Sequence, residues 1–255
     1  MSKVVLMGAG PGDPELMTRK AWRLLGEADV VLHDALLDLE GMKEAAPHAQ
    51  WLDVGKRAGR PSAQQAFICR TLVGLARRGL KVVRLKGGDP SIFGRIAEEL
   101  SACADAGIAV EVVPGVTSAC AAAADLQASL TLRGVARSVA FVTPSVGKGE
   151  SAGEDHWLPA ALAADTVVLY MAGKRSKEIC QRLIDAGKSA LTPLCVVENA
   201  GGEGLRLQLT LMEVARYGIP EVEGPVSLLL GEALALAHAQ FPLSAVQQKT
   251  VSQLP

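Results

Sequence analysis

Twice, the chain sends a short apolar run straight into glycines followed by Asp-Pro. Lys3-Val4-Val5-Leu6-Met7 leads into Gly8-Ala9-Gly10-Pro11-Gly12-Asp13-Pro14, and Val82-Val83-Arg84-Leu85-Lys86 leads into Gly87-Gly88-Asp89-Pro90. Each run reads as a buried strand, and each glycine turn bares main-chain N–H and C=O groups that a Cβ would cover. Pro90 fixes its own φ and biases Asp89 toward an extended conformation. One such loop is as consistent with an ordinary turn as with a ligand loop. A second of the same kind shifts the reading toward a ligand.

The ligand is not a dinucleotide. Counted from Gly8, the third glycine of a G-x-G-x-x-G fingerprint falls on Asp13, and a carboxylate there would repel a pyrophosphate at a helix N-terminus. No Gly-Lys-Ser/Thr follows, so a Walker loop is excluded too. Asp13 and Pro14 read instead as N-cap and first helical position.

Strand candidates at 3–7, 29–33, 81–86 and 108–113 alternate with helices at 14–26, 63–78 and 93–106. In the second of these helices Ser62 and Gln65 have capping-box spacing, Ile68, Leu72 and Leu75 make the apolar stripe, and Gly79 ends it. The alternation predicts an α/β fold with a largely parallel sheet. After Pro114-Gly115 come an Ala-rich helix at 117–127 and strands at 138–143, 166–171, 193–198, 205–210 and 225–230. A flexible loop is expected at 144–156 and a short Ala/Leu helix after Gly231. The expected organisation is two α/β lobes, 1–114 and 115–240, with a ligand cleft between them and a polar tail at 241–255.

A net charge of −1 over 255 residues argues against nucleic acid or an anionic membrane as partner. There is no signal-peptide pattern and no apolar run of membrane-spanning length, so a cytoplasmic protein is expected. Five scattered cysteines without C-x-x-C, and four scattered histidines, predict buried free thiols and no metal site.

Taken in order, the motifs resemble those of the uroporphyrinogen-III C-methyltransferases, within the tetrapyrrole methyltransferase family. They are Gly8–Glu15, His33-Asp34-Ala35-Leu36, Val54-Gly55-Lys56-Arg57-Ala58-Gly59, Arg84–Arg95 and Pro114-Gly115-Val116-Thr117-Ser118. Leu130-Thr131-Leu132-Arg133, Tyr170-Met171 and Val197-Glu198-Asn199-Ala200 follow. The resemblance implies two α/β lobes, a homodimer, and S-adenosylmethionine (SAM) as methyl donor. It assigns cofactor contacts to Pro11, Gly87, Gly88, Asp89, Ile92, Thr117, Ser118, Met171 and Ala200. On the residues alone, Met171 at the end of the run Thr166–Met171 reads better as plain strand core. The implied acid/base pair is Asp34 and Lys56, with a turn-capping Asp and its Lys partner as the structural alternative.

The implied substrate is a polycarboxylate macrocycle, which a nearly neutral protein must meet with local arginines, since guanidinium pairs with carboxylate in a fork. Arg95 and Arg133 stand at the motif positions for this, Arg95 also being counted with the catalytic residues. Glu98, one turn on, would contact pyrrole N–H groups or orient Arg95; Arg57 and Arg60 are rim candidates, although Arg60 reads better as an exposed solubilising charge. Two positions depart from the family pattern: His33 replaces a Tyr, and Leu132 replaces the His of Leu-Thr-His-Arg. The reaction implied is double methylation of uroporphyrinogen III to precorrin-2, toward sirohaem, cobalamin or a related tetrapyrrole. The alternatives are a methyltransferase for a later precorrin and a non-catalytic SAM-binding regulator. As the chain begins at its first strand, no dehydrogenase or chelatase module is expected ahead of it.

Overall fold

The computed structural model describes residues 3–34, 39–55, 61–144 and 156–237, without the side chains of 61–64. Contacts divide the chain into two units, Met1–Ser118 and Ala119–Pro255.

In the first unit, strands β1 (Lys3–Gly8), β2 (Val30–His33), β3 (Gln50–Asp53), β4 (Val82–Lys86) and β5 (Ala109–Val113) form a parallel sheet ordered β3-β2-β4-β1-β5. Helices α1 (Arg19–Leu25), α2 (Leu39–Lys43), α3 (Pro61–Arg77) and α4 (Ile96–Asp105) lie between the strands in sequence. Successive strand residues face opposite sides. Val5, Met7, Val31, Val83 and Leu85 pack with Ala21, Leu25 and Met42 of α1 and α2. Val4, Leu6, Val30, Leu32 and Val82 pack with Ile68, Leu72 and Cys103 of α3 and α4. Each fully buried leucine in these layers contributes about 1.5–3 kcal/mol. Arg84 and Lys86 pair in register with Leu6 and Gly8. They therefore continue the row begun by Val82, on the α3/α4 face, toward the carboxyl end of the sheet.

The second unit holds α5 (Ser118–Asp125), which starts at the boundary, then β6 (Val139–Val142), α6 (Leu158–Ala163), β7 (Thr166–Tyr170), α7 (Ser176–Asp185), β8 (Pro193–Glu198), β9 (Arg206–Thr210), α8 (Leu211–Tyr217) and β10 (Val226–Leu230). Its sheet runs β6-β7-β10-β8-β9, parallel at β6–β7 and antiparallel elsewhere. Val167, Leu169, Leu194, Val196, Leu228 and Leu230 pack against Ala161, Ile179, Leu183 and Val214 from the helices.

Several expectations are corrected. The helix predicted over 14–26 is two pieces. Asp13 caps a 3-10 turn at Pro14–Leu16; Met17 is extended and turned into the core, and Thr18 then caps α1 through Ala21 N at 3.1 Å. Helix α4 starts at Ile96, not 93, because Phe93 and Arg95 adopt left-handed φ of 53° and 55°. The loop and tail expectations (144–156 and 241–255) fall almost wholly outside the described residues, and a 3-10 turn at Glu232–Leu234 follows Gly231. Cys103, Cys180 and Cys195 are buried, and burial pushes the Cys180 and Cys195 thiols up to about 12. Cys120, however, is exposed and Cys69 half-buried, so the expectation of uniformly buried thiols fails at these two. No described helix is long and apolar enough to cross a membrane.

Candidate active site

Strands β1, β4 and β5 end side by side, and the glycine loops leave from these ends. Gly10 N donates to Gly88 O (3.3 Å) and Gly88 N to Gly10 O (2.6 Å), while Ala9 N reaches Lys86 O (2.8 Å). A Cβ on Gly8 would stand 2.5 Å from Gly88 O and 2.7 Å from Gly115 Cα, and one on Gly115 would overlap the same Gly88 oxygen. Three main chains thus touch where only glycine fits. Asp89 fastens them. Its Oδ2 accepts Gly115 N (3.0 Å), and its Oδ1 accepts Ser91 N (2.8 Å) and the Ser91 hydroxyl. Burial works against this charge, but the hydrogen bonds from Ser91 and Gly115 outweigh it and hold the carboxyl below its usual range. Among the cofactor candidates of this unit, Gly87 is exposed, while Pro11, Gly88, Asp89, Ile92, Thr117 and Ser118 are half-buried. The loops carrying them leave the carboxyl edge of the parallel sheet, where open α/β sheets take their ligands.

Beneath that edge lies a buried charged cluster. Arg84, 2% exposed, donates Nη2 to Asp34 Oδ1 (2.5 Å), Nε to Glu99 Oε1 (3.1 Å), and Nη1 to the carbonyls of Leu85 (3.1 Å) and Leu32 (3.4 Å). Lys86 Nζ (2.9 Å) and Gln65 Nε2 (3.2 Å) reach the same Glu99 oxygen. Gln65, read from sequence as part of a capping box, therefore gives its amide to Glu99. Glu99 is wholly buried, and its Oε2 has no hydrogen-bond partner among the described residues. Burial first, and the Arg84 charge second, pull the Lys86 ammonium below its usual pKa, with Glu99 opposing them. Asp34, at the carboxyl end of β2, is the open member of the cluster: its side chain is 35% exposed. His33 Nδ1 lies 3.1 Å from the Asp34 carbonyl, and the His33 ring tilts against Trp51.

Arg95 and Glu98, both exposed, pair with one another at 2.7 Å, so the geometry favours Glu98 orienting Arg95. Lys56, Arg57 and Arg60 lie outside the described residues. In the second unit, exposed Arg133 sits on a tight turn closed by Leu132 N to Ala136 O (2.9 Å) and its reciprocal. Tyr170 of β7 and Val197 of β8 both register with Ser227 of β10, so Met171 and Ala200 leave the sheet at the same edge. Met171 is 54% exposed with φ 56°, which removes the reading of it as core. Ala200 is buried behind Asn199, whose φ is 45°. This turn is held by Arg206, 5% exposed, which donates to Asp125 (2.5 Å), Gly202 O (2.8 Å), Asn199 O (3.4 Å) and the carbonyls of Glu198 and Leu205.

Comparison with known proteins places this geometry. Residues 3–215 match the family model described as tetrapyrrole (corrin/porphyrin) methylases. The chain belongs to the tetrapyrrole methylases. It is 37% identical to a uroporphyrinogen-III C-methyltransferase of Cyanidium caldarium over 239 residues, covering 93% of this chain and 95% of that one. It is 41% identical to siroheme synthase 1 of Yersinia enterocolitica over 240 residues, 92% of this chain but only 50% of that protein; it thus spans about half the length of that relative. A crystal structure of uroporphyrin-III C-methyl transferase from Thermus thermophilus, complexed with S-adenyl homocysteine, superposes with a TM-score of 0.77 at 39% identity, covering 91% of this chain and 98% of the other.

For a tetrapyrrole methylase, the sequence reading singled out the edge residues but not the cluster under them. Arg84 and Lys86 belong to the expected strand 81–86, where Arg84 opens a motif, and Glu99 falls within the expected helix 93–106 with no role attached to it. Arg84 and Lys86 alternate with Val83 and Leu85 as on a half-exposed strand, and it is the cover of α3 and α4 over their face that makes them buried charges in need of partners.

Proposed function

We propose that the protein is a SAM-dependent C-methyltransferase that methylates uroporphyrinogen III twice, giving precorrin-2 for sirohaem, cobalamin or a related tetrapyrrole. The observation that carries this reading is the Asp34 carboxylate, held open at the carboxyl edge of the first sheet by a buried arginine, beside the glycine loops of a methylase family. The exposed main chain at Gly87 and the close-packed glycines around Gly88 fit a cofactor that bonds backbone rather than side chains. Pro11, Gly87, Gly88, Asp89, Ile92, Thr117, Ser118, Met171 and Ala200 are the residues that would hold SAM, and Asp89 also braces the glycine loops of the first unit. When bound, SAM supplies a methyl group already activated on a sulfonium.

What the chain adds is alignment and proton removal. Orientation of two reactants can supply roughly 7–11 kcal/mol of the barrier. The macrocycle must lose a proton as its pyrrole carbon gains a methyl, and Asp34 accepts it, with Lys56 as the paired acid. Arg95, aimed by Glu98, and Arg133 receive substrate carboxylates. The aliphatic Leu132 gives no hydrogen bond beside Arg133. The protein is further read as a cytoplasmic homodimer with no nucleic-acid, membrane or metal partner; light scattering on the purified chain tests the dimer.

The deciding experiment is anaerobic incubation with SAM and enzymatically made uroporphyrinogen III, followed by absorbance and mass. Gain of two methyl groups is the expected result. SAM binding without methylation overturns the acceptor assignment and points to a later precorrin or to a non-catalytic regulator.

A further inference from the structure

We propose that Arg84 is the positioning residue for Asp34, an inference that rests on reading Asp34 as the reaction's base. All three guanidinium nitrogens are committed. Nε is on Glu99, Nη1 on the Leu32 and Leu85 carbonyls, and Nη2 on Asp34 Oδ1. A planar group fixed at three points has one orientation. Its main anchor, Glu99, is itself fixed by Lys86 from β4 and Gln65 from α3. Side chains from two helices and the central strand therefore form a frame whose one solvent-facing member is Asp34. The frame occupies Oδ1 and so fixes where that oxygen sits, leaving Oδ2 as the oxygen the frame does not bind.

Stability alone does not explain such a frame. Buried ion pairs are often matched or bettered by apolar residues of similar volume. Here, moreover, three donors crowd one Glu99 oxygen while the other, fully buried, has none among the described residues. An arrangement serving only the fold would do better with the apolar row that Val82 starts; this one gives up core to direct a carboxylate.

The test is a double-mutant cycle on the full chain: wild type, Asp34→Asn, Arg84→Met and the double variant. Turnover, SAM affinity by calorimetry and thermal midpoint are read for each. Arg84→Met should lower kcat by about 100-fold, the scale expected when a reacting group is misplaced. SAM affinity should stay within about threefold of wild type, and the double variant within about threefold of Asp34→Asn, because Arg84 acts through Asp34. Arg84→Lys should recover only part of the loss, since one ammonium cannot span both carboxylates. Glu99→Gln, which keeps an acceptor for Arg84, is the variant to use if Arg84→Met does not fold; it should lower kcat more mildly, with SAM affinity unchanged. Multiplicative losses in the cycle, or melting-point losses with kcat intact, would overturn the proposal. Failure of wild type on uroporphyrinogen III overturns the acceptor assignment instead, and the same cycle is then read on whichever precorrin the wild type methylates.

Discussion

Among the described residues, each unit of the molecule buries one arginine behind a strand-end loop, and the two do different work. Arg206 in the second unit spends nearly all its hydrogen bonds on main-chain carbonyls of residues 198–205, with Asp125 as its one carboxylate. Arg84 in the first unit bonds two carboxylates, one sealed and one open to solvent. The first unit does not need an arginine to hold its loops, because glycine contacts and Asp89 already do so. A guanidinium that holds backbone fixes a shape, whereas one that holds a carboxylate fixes a chemical group.

The sharpest way to break this contrast is to compare the two carboxylates. Asp34→Asn should reduce kcat by about 10²–10⁴-fold, the usual scale for losing a positioned acid or base, and barely move the thermal midpoint. Asp125→Asn should do the reverse, lowering the midpoint with kcat largely kept. If Asp125→Asn also abolishes turnover, the distinction collapses. Next in size, Arg206→Met should lower unfolding free energy by about 3–5 kcal/mol, as breaking a buried pair leaves Asp125 without its cation, with only the Gly201 N–H still bonded to it, and strips several carbonyls of their donor. Urea melts give the value, and a loss below about 1 kcal/mol would mean the turn holds itself. Gly115→Ala should destabilise the first unit by about 1–3 kcal/mol through overpacking against Gly88, and hydrogen exchange should localise the loosening to the β1, β4 and β5 ends.

The smallest effect is a pH dependence. Asp89 has its folded pKa depressed, so its contribution is complete above the unfolded carboxyl value and fades as pH falls through the lower folded one. Asp89→Asn should lower stability at neutral pH and flatten the acid side of the profile, the two proteins converging as pH falls below about 4. Melts from pH 2 to 7 would show it. An identical acid limb in both proteins would remove Asp89 as the brace.

Most of the parallel sheet of the first unit was legible because β1, β2, β4 and β5 are short, largely apolar runs and two of them run straight into glycine, and hydrophobic period and glycine position act locally. Strand β3 (Gln50–Asp53) and the short α2 escaped: one has polar ends at a sheet edge, the other a single turn and a half of mixed residues. Helix α8 could have been found, because Thr210-x-x-Glu213 is a capping box and forms one here. Asp34 was legible through its motif, but its partners were not. Arg84 lies 50 residues away in sequence, and Glu99 follows 15 later. No local pattern joins them, and only the strand register and the packing of α4 do.

The contact of Gly8 and Gly115 around the Gly88 carbonyl also bears on mutational scans. In a saturation library, positions 8 and 115 will be depleted whatever the protein binds, since the main chains themselves exclude a side chain there. Their intolerance will look like that of a cofactor site and carry no information about one. Sorting the library for abundance before sorting for turnover separates the two kinds of loss: the glycines drop out at the first gate, and Asp34 variants pass it and fall at the second.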